Sequence, residues 1–111
     1  MDTIDTYRQI IKNVLRKFVQ RQYAHGEIKN ESIFDRETDR YLVVSIGWQK
    51  VKRIHGCLIH IDVINDKIWI QRDGTEHDIA NGLVAAGIPQ NRIVLGFHAP
   101  DIRQYTEYAV A

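Results

Sequence analysis

The chain has 111 residues, 44% hydrophobic and 26% charged, and its 15 Lys and Arg residues against 14 Asp and Glu give a formal net charge of +1. This composition is typical of one globular domain over residues 1–111 and excludes a disordered chain. The near-neutral charge creates no general attraction to nucleic acid or membranes. Cys57 is the only cysteine, and the sequence shows no signal peptide, transit peptide or apolar span, so we expect a reduced cytoplasmic protein.

Residues 3–24 are predicted to form one long helix. Apolar residues recur there at intervals of three and four, which places them on a single helix face. They are Ile4, Tyr7, Ile11, Val14, Leu15 and Phe18. The apolar face predicts that this helix packs on the rest of the domain.

The period then changes to two, which is typical of half-buried strands. Strands are predicted over residues 31–35, 40–48 and 53–64 and in the returning segment 68–71, with a two-residue turn at Asn65-Asp66 between the last two. Short connections between consecutive strands predict an antiparallel meander of about four strands. The predicted fold is α+β, with the long N-terminal helix packed on the antiparallel sheet. It is completed by a second helix near 76–86, a closing strand near 92–97 and a short terminal helix that starts within 99–105 and has Pro100 in its first turn.

The corner Q-R-D-G-T-E-H-D, residues 71–78, holds five ionisable residues within eight positions. Gly74 interrupts the strand, and Thr75 stands three residues before Asp78, which is the spacing of a helix capping box. We therefore interpret the corner as a strand-to-helix junction, with Arg72 and Asp73 kept as candidate contact residues.

Enzymatic alternatives find limited support. His60 and Asp62 share one strand face, which suits a metal site, but His55, His77 and His98 do not add zinc-finger spacing. A metal-dependent nuclease needs converging carboxylates, and Asp62 and Asp73 are predicted to lie several residues apart in register on one hairpin. Cys57 lies in an apolar run, where burial makes a thiol inert. We expect no catalytic residue, metal or cofactor.

Two basic clusters are candidate contacts for nucleic acid or a protein partner. The first lies on the predicted N-terminal helix and is called the basic ridge; it is formed by Arg8, Lys12 and Arg16, which are four residues apart in a segment without an acid from Tyr7 to Gly26. The second follows the first tryptophan, and its residues are Trp48, Lys50, Lys52 and Arg53. An ordinary solvated surface is the alternative interpretation of both clusters.

The C-terminal residues are aromatic and apolar, with Tyr105 and Tyr108 and a single charge, Glu107, after Arg103. Terminal segments gain nothing from such residues in water, so this one is predicted to dock on its own sheet or on another subunit. We expect a self-associating protein, most simply a two-fold homodimer.

The motifs YRQIIKNVLRKF, KIWIQRDGTE, VLGFHAP and YTEYAVA occur together, and with the IFD of residues 33–35 the resemblance covers nearly the whole chain. In this combination the sequence resembles the XisI family of cyanobacterial proteins, which are controlling factors in the excision of the fdxN DNA element. The resemblance implies an accessory role in developing heterocysts, where a separate large recombinase cuts the DNA and a companion called XisH is also required.

The resemblance implies no established catalytic residues. The shared positions are therefore candidates for fold or partner contacts, namely Asp62, Trp69, Gln71, Arg72, Asp73, Gly74, Thr75, Glu76 and His98. We expect a non-enzymatic regulatory protein that acts through contacts with a XisH-like partner. The alternatives are a nucleic-acid-binding module that uses the basic N-terminal helix and, third, a metal-dependent nuclease with His60, Asp62 and Asp73.

Overall fold

Helix α1 spans Thr3–Arg21 in the computed structural model, which describes residues 3–21, 27–75 and 78–111. The predicted apolar face is confirmed, because Ile11 and Leu15 are fully buried and Ile4 and Phe18 nearly so. The predicted extension to residue 24 lies outside the described residues. No helix in the described ranges has the length and apolar character needed to cross a membrane.

The sheet has five strands in the order β1-β2-β3-β4-β5. Their bounds are β1 Ile28–Asp35, β2 Arg40–Gln49, β3 Lys52–Ile64, β4 Lys67–Asp73 and β5 Ile93–Leu95. The first four form the predicted antiparallel meander, and the turn between β3 and β4 holds Asn65 and Asp66 at φ 51° and 63°. The closing strand is shorter than predicted and runs parallel to β4, so the sheet is mixed.

Helix α2 spans Asp78–Ala85 and lies between β4 and β5 in the chain. A helical crossover of this kind returns the chain to the end of the sheet where β4 began, which explains the parallel pairing of β5. Gly87, two residues beyond the end of the helix, stops its continuation with a φ of 119°, which favours glycine. The predicted first helical positions, 76 and 77, lie outside the described residues. A 3₁₀ turn at Gln90–Arg92 precedes β5, and the predicted terminal helix is α3, Pro100–Arg103.

The core lies between one face of the sheet and helices α1 and α2. Alternate strand residues point into it, as the period of two predicts. The buried strand residues are Tyr41, Val43, Ile59, Ile61, Ile68 and Ile70, and the buried α2 residues are Ile79, Ala80 and Leu83. The opposite face, here called the open face, carries Leu42, His60, Asp62 and Trp69 and is only half buried.

Two β-bulges interrupt the alternation. Val43 pairs with Ile59 but Val44 pairs with Cys57, so Leu58 is an extra residue on β3, and Gln71 is an extra residue on β4. Leu58 packs against the core, and its carbonyl accepts a hydrogen bond from the Gly74 amide at 2.8 Å.

The predicted burial of Cys57 is wrong. The bulge at Leu58 changes which side of β3 faces the core, so Cys57 is exposed. Its thiol donates to the Ile59 carbonyl at 3.2 Å, and the partial loss of solvent around the sulfur raises its pKa. The raised pKa disfavours the reactive thiolate, so we still expect a weakly reactive thiol although the side chain is exposed.

Candidate functional site

The charged corner forms a tight turn at the end of β4. The Asp73 carboxylate accepts hydrogen bonds through Oδ1 from the Thr75 amide at 2.8 Å and from the Thr75 hydroxyl. Its Oδ2 is buried without a hydrogen-bond partner in the part of the chain that the structure describes. A Cβ at Gly74 would lie 2.5 Å from Leu58 Cδ1, so any other residue there would require the Leu58 side chain to move. These contacts agree with a junction, and capping of α2 by Thr75 stays a prediction because residues 76 and 77 are not described.

Asp62 and Asp73, the carboxylates that a metal-dependent nuclease would need, do not converge. Asp73 pairs with Ile59, whereas Asp62 pairs with Trp69, so the two acids are separated along the sheet as predicted. Three residues of strand correspond to about 10 Å, which is more than the spacing of a two-metal site. Arg72 contacts the backbone of the neighbouring strand, where its Nε donates to the Cys57 carbonyl at 2.9 Å.

His60 and Asp62 do lie side by side on the open face. The His60 Nε2 is 2.8 Å from Asp62 Oδ1, and Gln71 Nε2 donates to Asp62 Oδ2 at 3.3 Å. Neutral imidazole and carboxylate are metal ligands, but here they contact one another. Within residues 3–21, 27–75 and 78–111 no three His, Cys, Asp or Glu side chains form a group that would hold a metal ion.

The basic ridge, which lies on α1, is not the unpaired surface that the sequence predicts. Arg8 donates through Nε to Asp39 Oδ1 and through Nη2 to Asp39 Oδ2, both at 2.9 Å, and through Nη1 to Asp5 at 2.5 Å. The guanidinium of Arg16 lies 5.3 Å from the centre of the Phe34 ring. Within the ridge, Arg8 therefore serves the fold, and Lys12 and Arg16 are its remaining candidates for an external ligand.

The electrostatics of this network follow from partial burial. The Arg8 and Asp39 side chains are 16% and 21% exposed. The hydrogen bond to Asp39 outweighs burial and raises the pKa of Arg8. Burial opposes the charge on Asp39, but hydrogen bonds from Arg8 and Tyr41 prevail and lower its pKa. Burial and the bond to Asp39 raise the pKa of Tyr41 to about 12. Asp39 lies 31 residues from Arg8, and no local sequence signal marks the pair.

The second basic cluster is brought together at one place. Trp48 pairs with Arg53 across β2 and β3, and the Arg53 guanidinium lies 5.2 Å from the centre of the Trp48 ring. Lys50 and Val51 form the turn between the strands, and Val51 is 95% exposed. We call residues 48–53 the hairpin tip. It combines an aromatic ring, an apolar apex and three cations on one projection.

An apolar surface that the sequence analysis did not single out lies on the open face. Ile33 pairs with Leu42, and Val44 and Ile46 follow Leu42 on the same side of β2. We call these four residues the open strip. A Lys29–Glu31 salt bridge of 3.2 Å lies along its edge on β1. The strand alternation carries this signal, because β2 is apolar on both of its faces and only one face is covered by helices.

The C-terminal segment covers the other part of the open face. Arg103 lies 5.0 Å from the centre of the Trp69 ring, and the Ala109 amide donates to the Ile93 carbonyl at 2.8 Å. Tyr108 packs against the core, and burial raises its pKa, whereas Tyr105 is largely exposed. The predicted docking of this segment is therefore confirmed on its own sheet.

Comparison with known proteins gives one family. The family model described as XisI protein matches residues 1–110. No curated protein matches the chain. The fold is also similar to that of a XisI-like protein from Anabaena variabilis ATCC 29413, with a TM-score of 0.89, 36% identity, and coverage of 98% of this chain and 100% of the other.

A second solved structure, the fdxN element excision controlling factor XisI from Anabaena variabilis ATCC 29413, has a TM-score of 0.86 and 34% identity. That similarity covers 99% of this chain and 100% of the relative. Helix α1, the five-stranded sheet and the C-terminal segment all fall within the matched region, so the chain belongs to the XisI family.

Proposed function

We propose that this chain is a non-enzymatic accessory protein in the excision of a DNA element and that it acts by binding a XisH-like protein. The match to the XisI family and the similarity to an excision controlling factor support the role in excision. The separation of Asp62 from Asp73 and the mutual contact of His60 and Asp62 support a role without phosphodiester cleavage.

The open strip is the observation that carries the proposed protein contact. Among the described residues, neither the helices nor the C-terminal segment cover the sheet face on which it lies; Ile33 is 49% exposed and the other three residues are half-buried. Contiguous apolar surface of this kind marks protein interfaces, because burying it against a partner removes it from water. The Lys29–Glu31 pair at its edge resembles the polar rim that surrounds such interfaces.

Co-purification with a XisH-like protein tests the proposal. We expect a stoichiometric complex and at least a tenfold loss of affinity for Ile33→Glu, since a buried unpaired carboxylate costs more than about 1.4 kcal/mol. Ile64→Glu is the matched control, because Ile64 is also an exposed isoleucine, 41% accessible, but lies at the β3–β4 turn. Absence of a complex at tens of micromolar, or equal loss for both variants, would refute the proposed contact.

Self-association is the second part of the proposal. Deleting residues 105–111 should lower stability, because it removes the Tyr108 packing and the Ala109 bridge to Val94. It should also lower the oligomeric mass if Tyr105 contributes to a two-fold interface, as exposed aromatic residues often do. Sedimentation velocity measures the mass and urea denaturation the stability. Tyr105→Ser is the control that should reduce mass alone, and a clean wild-type monomer at tens of micromolar would contradict the dimer.

A further inference from the structure

Strands β2 and β3 extend well beyond the core. The buried core residues on these strands end at Val43 and Ile59, which pair with each other, and the strands continue to Gln49 and Lys52. Six residues of strand correspond to a projection of about 20 Å. β1 accompanies this projection only as far as the pair Ile28 and Gly47. Beyond the hydrogen bond from the Trp48 amide to the Glu27 carbonyl, the described part of the chain leaves the hairpin tip two strands wide.

The charge on this projection has one sign. No Asp or Glu occurs from Arg40 to Ile61, whereas the hairpin tip carries Lys50, Lys52 and Arg53. Within the described residues, no salt bridge joins these three side chains to a carboxylate. The exposed acid beside them is Glu27, which lines the same hollow as Trp48 and Lys50. Three cations against one carboxylate leave a net positive tip.

The backbone of the turn is strained at Lys50. Lys50 has φ 57°, a left-handed conformation that Gly or Asn adopts far more readily than lysine. A lysine in this conformation costs the fold some backbone strain, which agrees with a role of its side chain outside the fold. The contact with the Trp48 ring holds the Arg53 guanidinium in place. A guanidinium that stacks on an aromatic face still presents its N–H edge to a ligand.

We propose that the hairpin tip binds the phosphate backbone of duplex DNA, at the major groove. Two paired strands are about 4.8 Å apart, so a two-stranded tip with its side chains enters a groove about 12 Å wide. The deep, narrow major groove of duplex RNA does not admit it. Cations without carboxylate partners recognise phosphates at both groove edges, and this contact does not require the partner protein.

The binding is independent of base sequence, since phosphate contacts carry no sequence information. We expect dissociation constants between about 1 and 100 μM at physiological salt, the range of non-specific binding. The logarithm of the affinity should fall linearly with the logarithm of the salt concentration. The slope should be about 0.9 per phosphate contact, and therefore about 2.7 for the three tip cations.

Fluorescence anisotropy with a short labelled DNA duplex and the full chain alone tests the proposal. The hairpin variant replaces Lys50, Lys52 and Arg53 with Glu, and the matched control replaces Lys12, Arg16 and Lys17 on α1 with Glu, so both change the net charge equally. We expect the hairpin variant to lose at least tenfold in affinity and most of the salt slope, and the α1 control to lose much less. Glu27→Gln should tighten binding, and Lys50→Gly should weaken it without lowering the melting temperature.

Each other outcome would overturn the proposal. Equal loss in both variants would indicate attraction by net charge, and loss in the α1 variant alone would assign DNA to the helix. Equal displacement of DNA by polyglutamate would indicate an acidic protein as the ligand, and equal affinity for duplex RNA would exclude the groove. Sequence-selective nanomolar binding would require base contacts that this tip does not offer. The co-purification with a XisH-like protein is independent of all these results.

Discussion

Replacing Gly47 with alanine will lower the free energy of unfolding by about 3 kcal/mol, the upper end of the usual range for overpacked sites. A Cβ at this position would lie 2.0 Å from the Glu27 carbonyl oxygen and 2.6 Å from the Ile28 Cα. Both obstacles are backbone atoms, so relief requires β1 to move away from β2. The Trp48 amide would then lose its 3.0 Å hydrogen bond to the Glu27 carbonyl.

Gly56 provides the matched control for this substitution. It lies on the neighbouring strand, where it pairs with Ser45, and nothing lies within 4 Å of the position of its Cβ. Gly56→Ala should therefore be neutral or stabilise the chain by up to about 1 kcal/mol through the unfolded state. Urea denaturation of both variants measures the difference, and equal midpoints would show that β1 does not approach β2 as closely as described.

The fold was largely predictable because its elements are encoded by short-range patterns. The apolar interval of α1, the alternation in β2 and the Asn65-Asp66 turn are each readable within ten residues of sequence. The parallel pairing of β5 was not readable, because three residues carry no information about the direction of their neighbour. That direction is set by the α2 crossover, a property of the chain between the two strands.

The errors on β3 have a single origin. An alternation rule assumes that every residue occupies one position in the ladder, and the extra residue Leu58 breaks that assumption. Counting through the bulge places Cys57 in the core, whereas the structure leaves it exposed. A bulge depends on the register between two neighbouring strands, so the sequence of one strand does not reveal it.

The candidate site likewise contains residues that the sequence could identify and residues that it could not. The hairpin tip is local, and the sequence identified Trp48, Lys50, Lys52 and Arg53 because they lie within six positions. The Asp39 partner of Arg8 was missed for the opposite reason, since it comes from the β1–β2 turn 31 residues away. An acid-free helix segment looks unpaired in sequence whenever its carboxylate is supplied by another element.

Replacing Arg8 with alanine is expected to cost about 2–3 kcal/mol of stability at neutral pH. The substitution leaves the partly buried Asp39 carboxylate with only the Tyr41 hydroxyl, 3.0 Å from Oδ1, among the partners described above. Lys12→Ala, one turn further along α1, is the control and should change stability by less than about 0.5 kcal/mol. A double-mutant cycle with Asp39→Asn should give a coupling energy of about 1–3 kcal/mol.

The pH dependence of the Arg8→Ala effect provides an independent check. Because Arg8 lowers the pKa of Asp39 in the folded state, its stabilisation is complete above the unfolded pKa of about 3.9 and is lost as pH falls through the folded pKa. The difference between wild type and Arg8→Ala should therefore narrow steadily below about pH 4. On the alkaline side, Tyr41 has a pKa raised to about 12, so wild-type stability should decline between about pH 10 and 12; Tyr41→Phe should reduce that decline, to which the raised pKa of Tyr108 also contributes. A difference between wild type and Arg8→Ala that stays constant from pH 7 to well below pH 4, in urea titrations at each pH, would show that Arg8 stabilises the fold through packing and not through its ion pair.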